Sequence, residues 1–195
     1  MRAMAALSTR EIAHDAIRTR LAHVTLQEVM RHGFDGVTLH ELASAAGVSR
    51  STYLRYLGSK ENAVLVGLSA IGEDLAERLG ARPAAEDDWQ ALRRAMDLIT
   101  ETQNQDDTAA LNLTKLLKSD ASLGGAQWQH RRSWRDALTS VLLGRAPGRS
   151  HLATAALAAA ALGCLDAATD AWTDSDGALD FDAALDEAFA SLEPS

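Results

Sequence analysis

Apolar residues recur every three or four positions along nearly the whole chain, and nowhere do they alternate with polar residues over a sustained run. That is the period of a helix and not of a strand. Ser8-Thr9-Arg10-Glu11 has the spacing of a capping box, and Ile17, Leu21 and Val24 follow at i, i+4, i+7. Together they predict a first amphipathic helix running to about Arg31 and stopped at Gly33. Thr38-Leu39-His40-Glu41 repeats the box and opens a short second helix over 39–46, closed by Gly47. Ser49 is placed to cap a third helix over 50–57. After Gly58-Ser59 comes a longer fourth, marked by Val64, Leu68, Ile71, Leu75 and Leu79. Further helical stripes run through Trp89, Leu92, Met96 and Ile99, then Leu113, Leu116 and Leu117, then Trp134, Leu138, Val141 and Leu142. An alanine-rich eighth helix over 152–172 and a ninth with Phe181, Leu185, Phe189 and Leu192 complete the chain. Breaks are expected at 104–107, Leu123-Gly124-Gly125, Pro147-Gly148 and 174–177. The expectation is an all-α chain of about nine helices.

Composition agrees and narrows the class. The 195 residues, 47% hydrophobic and 24% charged, are ordinary values for a folded globular protein, and three prolines with 5% aromatics favour helices. One cysteine excludes an intramolecular disulfide framework, and no Cys/His group has zinc-site spacing, so no metal or cofactor is expected. The weakly apolar residues 1–7 are too short for a secretory signal. The longest uncharged run, residues 150–165, is shorter than a bilayer span. A cytoplasmic protein without a membrane segment is expected.

Charge divides the chain. Residues 1–65 hold eight Lys/Arg against six acids, a net +2, and four of the six histidines; residues 66–195 hold eleven against twenty-one, a net −10. The overall −8 argues against a nucleic-acid partner, but the asymmetry suggests a small basic module, 1–65, joined to an acidic body, 66–195.

Helices two and three carry the chemistry. Each is too short to be stable alone and must pack on the other and on helix one. Leu39 and Leu42 face that small core, Ala43 permits a close crossing, Gly47 gives the sharp turn and Val48 plugs the corner. This is a helix-turn-helix pattern, whose second helix can lie in a DNA major groove. At its N-terminus Ser49, Arg50, Ser51 and Thr52 accompany free backbone N–H groups that favour phosphate. Arg50 can bond guanine bidentately, and Thr52 offers a hydroxyl and a methyl to base edges. Tyr56 and Lys60 can reach flanking phosphates, as can Thr38 from the second helix, and His40 lies on the same exposed side. A helical hairpin inside an ordinary bundle has the same spacing, with Arg50 and Arg55 solvated and Tyr53 and Tyr56 in the core.

The run from Gly33-Phe34-Asp35-Gly36-Val37-Thr38 through Glu41-Leu42-Ala43-Ser44-Ala45-Ala46-Gly47-Val48-Ser49 to Ser51-Thr52-Tyr53-Leu54-Arg55-Tyr56-Leu57-Gly58-Ser59-Lys60-Glu61 resembles the DNA-binding domain of TetR-family transcriptional regulators. The resemblance covers residues 9–66. It implies DNA contacts at Thr38, Arg50, Ser51, Thr52, Tyr56 and Lys60, with His40, Ser49 and Arg55 beside them. Leu54 departs from the pattern, standing where many members carry an aromatic residue. The resemblance also implies that residues 66–195 form a helical ligand-binding and dimerisation domain. The chain would then be a homodimeric, ligand-responsive regulator, a repressor released from a pseudo-palindromic operator when an effector shifts the fourth helix. Repression, as against activation, rests on the resemblance alone.

The acidic body supports part of this. The eighth helix has almost no polar face, and Ala153, Ala156, Ala160 and Gly163 would let a second helix approach closely. Helices eight and nine are therefore the expected dimer face; a central core helix of a monomer would read the same way. Met96, Ile99, Leu113, Leu117, Trp128, Trp134 and Trp172 are candidate walls of an effector pocket, and Arg131 could hold an anionic ligand. For each of them the plain reading is core packing or, for Arg131, solvated surface. No catalytic residues are expected: there is no glycine-rich phosphate loop and no Gly-x-Ser-x-Gly elbow. The competing reading is a helical small-molecule carrier that does not read DNA.

Overall fold

A computed structural model describes residues 8–105, 107–119 and 121–192, with side chains other than those of 102–107 and 119–129. Among the described residues all regular structure is helical: α1 (Thr9–His32), α2 (Leu39–Ala45), α3 (Arg50–Leu57), α4 (Lys60–Gly80), α5 (Asp88–Ala95), α6 (Asp97–Gln105), α7 (Asp107–Ser119), α8 (Ala121–Arg145), α9 (His151–Asp174) and α10 (Phe181–Ser191). They divide into two compact units, Met1–Ala70 and Ile71–Ser195, so that α4 begins in the first and ends in the second.

The first unit is α1–α3 and the start of α4. Both capping boxes form: Ser8 exchanges hydrogen bonds with Glu11, and Thr38 with Glu41. Leu21, Ala22, Thr25, Leu26 and Val29 of α1 bury against Leu42 and Ala43 of α2, Tyr53 and Leu57 of α3, and Ala63 and Val64 of α4. Thr25 and Tyr53 form a buried polar pair in this core, their oxygens 2.6 Å apart. Thr25 already donates its hydroxyl hydrogen to the Leu21 carbonyl at 2.9 Å, so Tyr53 is the donor. The apolar face of α1 starts later than its spacing suggests. Ile17 is 41% exposed, because the other helices of the unit cover only the half of α1 from Leu21 onward.

The second unit is a bundle in which α9 is central, packed by α10, α8, α5 and α7. Its core includes Leu92, Met96, Leu138, Leu142, Leu165 and Leu185. Buried arginines tie the periphery. Arg93 bonds Asp97 at 2.7 Å, Asp186 at 2.6 Å and also Asp182, joining α5 and α6 to α10. Arg145 bonds Asp88 at 2.9 Å and the carbonyls of Arg82, Pro83 and Glu86, fixing the connection before α5; Arg149 takes the other Asp88 oxygen. Cys164 is buried with its thiol on the Ala188 carbonyl, and burial pushes that thiol up and away from reactivity.

Two boundaries differ from those the sequence suggests. The expected fifth helix is divided at Met96, whose N–H reaches both Leu92 and Arg93 while its carbonyl takes the Ile99 N–H, a tightened 3₁₀-type turn. Leu123-Gly124-Gly125 does not break the chain. The backbone there is the first part of α8, whose later turns are anchored by buried Trp134, Leu138 and Leu142. Packing of those turns outweighs the ~1 kcal/mol that each glycine costs a helix.

The Thr25–Tyr53 pair predicts an asymmetry in urea denaturation. Tyr53→Phe should cost about 1 kcal/mol, because Thr25 keeps its bond to Leu21. Thr25→Val should cost more, about 1–3 kcal/mol, because it strands a fully buried phenol hydroxyl.

Candidate nucleic-acid interface

The turn between α2 and α3 is built by backbone chemistry. Gly47, at φ 70°, donates to the Ser44 carbonyl at 3.0 Å, and Val48 donates to the Ala43 carbonyl at 2.9 Å. These are the paired bonds of a Schellman motif, and they need a left-handed residue where Gly47 stands. The chain then enters α3 at once. Ser49 Oγ accepts the Thr52 N–H at 3.1 Å, donates its own hydrogen to Thr52 Oγ1 at 3.0 Å and lies 3.0 Å from the Ser51 hydroxyl.

The result is a short helix with one face anchored and one free. Tyr53 and Leu57 are buried, whereas Ser49, Arg50, Ser51 and Arg55 are exposed and Thr52, Leu54 and Tyr56 are half-buried. His40 is exposed on α2. Arg50 carries a free fork of donors beside the unpaired N–H groups of the first turn, an arrangement suited to guanine edges or phosphate. Tyr56 is near two other side chains: its ring centroid is 4.8 Å from that of His14, and the Arg55 guanidinium carbon is 5.2 Å away. His14 of α1 thus stands beside α3, which the residue pattern gave no means of foreseeing.

Two candidate residues are already engaged within the protein. Thr38 gives both its N–H and its hydroxyl to Glu41 at 2.8 Å. Lys60 reaches back to the turn before α2, donating to the Phe34 carbonyl at 2.5 Å and the Val37 carbonyl at 3.0 Å, with its ammonium 4.1 Å from the Phe34 ring centroid. One of its three hydrogens is left for a phosphate.

In the second unit the candidate pocket residues separate. Met96 and Trp172 are core: Met96 is fully buried at the α5–α6 turn, and Trp172 packs edge-on against Phe181. Leu117 is buried, and Ile99 and Leu113 are half-buried. The Trp128 side chain lies outside the described residues. Arg131 and Trp134 are brought together, the guanidinium carbon 4.5 Å over the indole.

The profile of the bacterial regulatory proteins of the tetR family matches residues 21–64, and that of the MftR C-terminal domain matches residues 86–195. The HTH-type transcriptional regulator TcmR of Streptomyces glaucescens is 33% identical over 78 residues, 40% of this chain and 34% of that protein, so the match spans about a third of that relative's length. Among solved structures, a TetR-family transcriptional regulator from Pectobacterium atrosepticum has a TM-score of 0.60 at 22% identity, covering 95% of this chain and 94% of its own. Thermus thermophilus FadR, a TetR-family transcriptional repressor in complex with lauroyl-CoA, has 0.57 at 19% identity, covering 89% and 91%. At these identities the two structures share the fold.

The engagement of Lys60 predicts that two basic residues of one small unit behave differently. Lys60→Ala should lower stability by about 1.5–3 kcal/mol, the worth of bonds from a charged donor, whereas Arg50→Ala should change it by no more than ~0.5 kcal/mol, both read by thermal denaturation. The caps predict an acid dependence. The Thr38 N–H and hydroxyl hold Glu41 below the usual carboxylate range, as those of Ser8 hold Glu11. A lowered carboxyl stabilises the fold above its unfolded value of about 4.3, and that stability is lost as pH falls through the folded value. Melting temperature should drop between about pH 5 and 3, less steeply in Glu41→Gln.

Proposed function

This chain belongs to the TetR family of bacterial regulatory proteins, and on that basis we propose that it is a ligand-responsive DNA-binding regulator that acts as a repressor. The reading is carried by the exposed first turn of α3, with Arg50 and Ser51 open above a capped helix end, on a turn rigid enough to present it. Base contacts fall to Arg50, Ser51 and Thr52. Phosphate contacts fall to Thr38, Ser49, Arg55, Tyr56 and Lys60, with His40 at the edge. Substitution of Arg50 should cost DNA binding the most, since its guanidinium has no hydrogen-bond or ion-pair partner among the described residues.

The active form is a homodimer through α9 and α10. α9 is long and apolar enough to cross a membrane by length and composition. Its inner face is buried on its own bundle, however, and its outer face is a row of small residues. Ala153, Ala156 and Gly163 are exposed, nothing lies within 4 Å of where a Cβ on Gly163 would stand, and Leu152 is 79% exposed. A second α9 fits that surface closely and would bury it. Two α3 helices then meet a pseudo-palindrome in successive major grooves, about 34–36 Å apart. The protein works in the cytoplasm, where that DNA is.

The effector binds within the bundle of the second unit, and FadR with lauroyl-CoA supports a small-molecule effector for this chain as well. Because α4 runs from one unit into the other, movement of its second half is the simplest route from effector to α3. The effector weakens DNA binding only insofar as it binds the DNA-incompetent arrangement more tightly.

Selection from a random duplex library should return an inverted repeat, with affinity that falls steeply as salt is raised. Arg50→Ala should cost about 1–3 kcal/mol on the selected duplex, measured by fluorescence anisotropy. A library that yields no enriched sequence, with weak binding to all duplexes and no effect of Arg50→Ala, would favour a carrier that does not read DNA.

A further inference from the structure

Three arginines of the second unit are deeply set, and they differ in one respect. Arg93 places each guanidinium nitrogen on a carboxylate, and Arg145 places each of its own on a carboxylate or a carbonyl. Arg131 does not. Its Nη2 bonds Asp166 at 2.7 Å, but its Nη1 is closed off from solvent and has no hydrogen-bond partner among the described residues. Burial pushes the Arg131 guanidinium down from its ordinary value against the pull of Asp166, and pushes Asp166 up.

The position of Arg131 is nevertheless fixed. Its guanidinium is stacked on Trp134, and the edge of that indole occupies the space a side chain at Gly72 would need: a Cβ there would stand 2.1 Å from Trp134 Cδ1. Gly72 lies in the part of α4 that belongs to this same unit. The guanidinium is therefore held one side chain away from α4, with the Nη1 hydrogens closed off from solvent and nothing among the described residues to receive them. Asp166, its counter-ion, bonds Nη2 and has a side chain 51% exposed, while Nη1 is left without an acceptor. The neighbouring Asp170 is occupied by Lys118 at 2.8 Å.

We infer that Arg131 Nη1 receives an anionic oxygen of the effector, a carboxylate or a phosphate. This rests on the reading of the second unit as the effector-binding domain. A charged oxygen is the acceptor that a desolvated guanidinium binds most strongly, and the planar fork suits either group.

Equilibrium dialysis of the full chain, without DNA, against 1-naphthoate, 1-naphthyl phosphate and 1-naphthol holds the apolar body constant and varies the polar group. At least one of the two anions should bind about tenfold or more tightly than the naphthol. Which of them does so distinguishes a carboxylate effector from a phosphate. Arg131→Met, which keeps an unbranched chain over Trp134, should reduce that anion to the affinity of naphthol and leave naphthol unchanged. Asp166→Asn removes the competing carboxylate and should raise anion affinity severalfold, an independent check if circular dichroism shows Arg131→Met unfolded. Equal binding of all three compounds, binding of none at millimolar concentration, a preference that survives Arg131→Met, or no rise in Asp166→Asn overturns the inference. Because no DNA is present, that failure leaves the selected operator standing, and a failed selection leaves the anion site standing.

Discussion

A seven-residue helix and an eight-residue helix cannot hold their shape in water, and everything the first unit does depends on how α2 and α3 are pinned. Three attachments suffice. The hydroxyl of Tyr53 donates to Thr25 inside the core, the paired bonds around Gly47 fix the angle between the two helices, and Lys60 clasps the Phe34 and Val37 carbonyls of the turn that feeds α2. All three act on the inner side or at the ends of the helices. The outer side of α3 is therefore spared from structural duty, which lets Arg50 and Ser51 serve recognition.

The second unit solves a different problem. Its helices are longer, and α9 supplies a continuous apolar spine. Its composition is strongly acidic, and arginines paired with carboxylates tie its helices together. Arg93 collects three, and Asp88 is shared by Arg145 and Arg149. Removing one such arginine would leave like charges facing one another, so these sites bear on the integrity of the bundle well before they bear on any ligand. Arg131 stands out because it is buried to a similar purpose yet incompletely matched.

What could be read from the residues was local. Capping boxes at Ser8 and Thr38 are patterns of four adjacent residues, and the left-handed Gly47 follows from a helix that must stop and turn; both stand as their spacing suggests. What could not be read was long-range or a matter of competition. Lys60 reads as a ligand for a flanking phosphate, and that its ammonium also clasps the Phe34 and Val37 carbonyls depends on the return of a turn more than twenty positions away. The pairing of His14 with Tyr56, of Trp134 with Gly72, and of Arg93 with α10 each join residues dozens of positions apart. Gly124 and Gly125 looked like a break because propensity is local, while the packing that carries α8 through them lies further along the helix.

The central claim is that α3 presents its first turn to a duplex while its second half stays rooted in the core. Hydrogen–deuterium exchange on the free protein and on its complex with the selected duplex tests this directly. Amides of Arg50 and Ser51, open in the free chain, should become protected on the DNA, while Tyr53 and Leu57 should exchange slowly in both states. Unchanged exchange at Arg50 and Ser51 with DNA bound, or rapid exchange at Tyr53 and Leu57 in the free chain, would contradict the account.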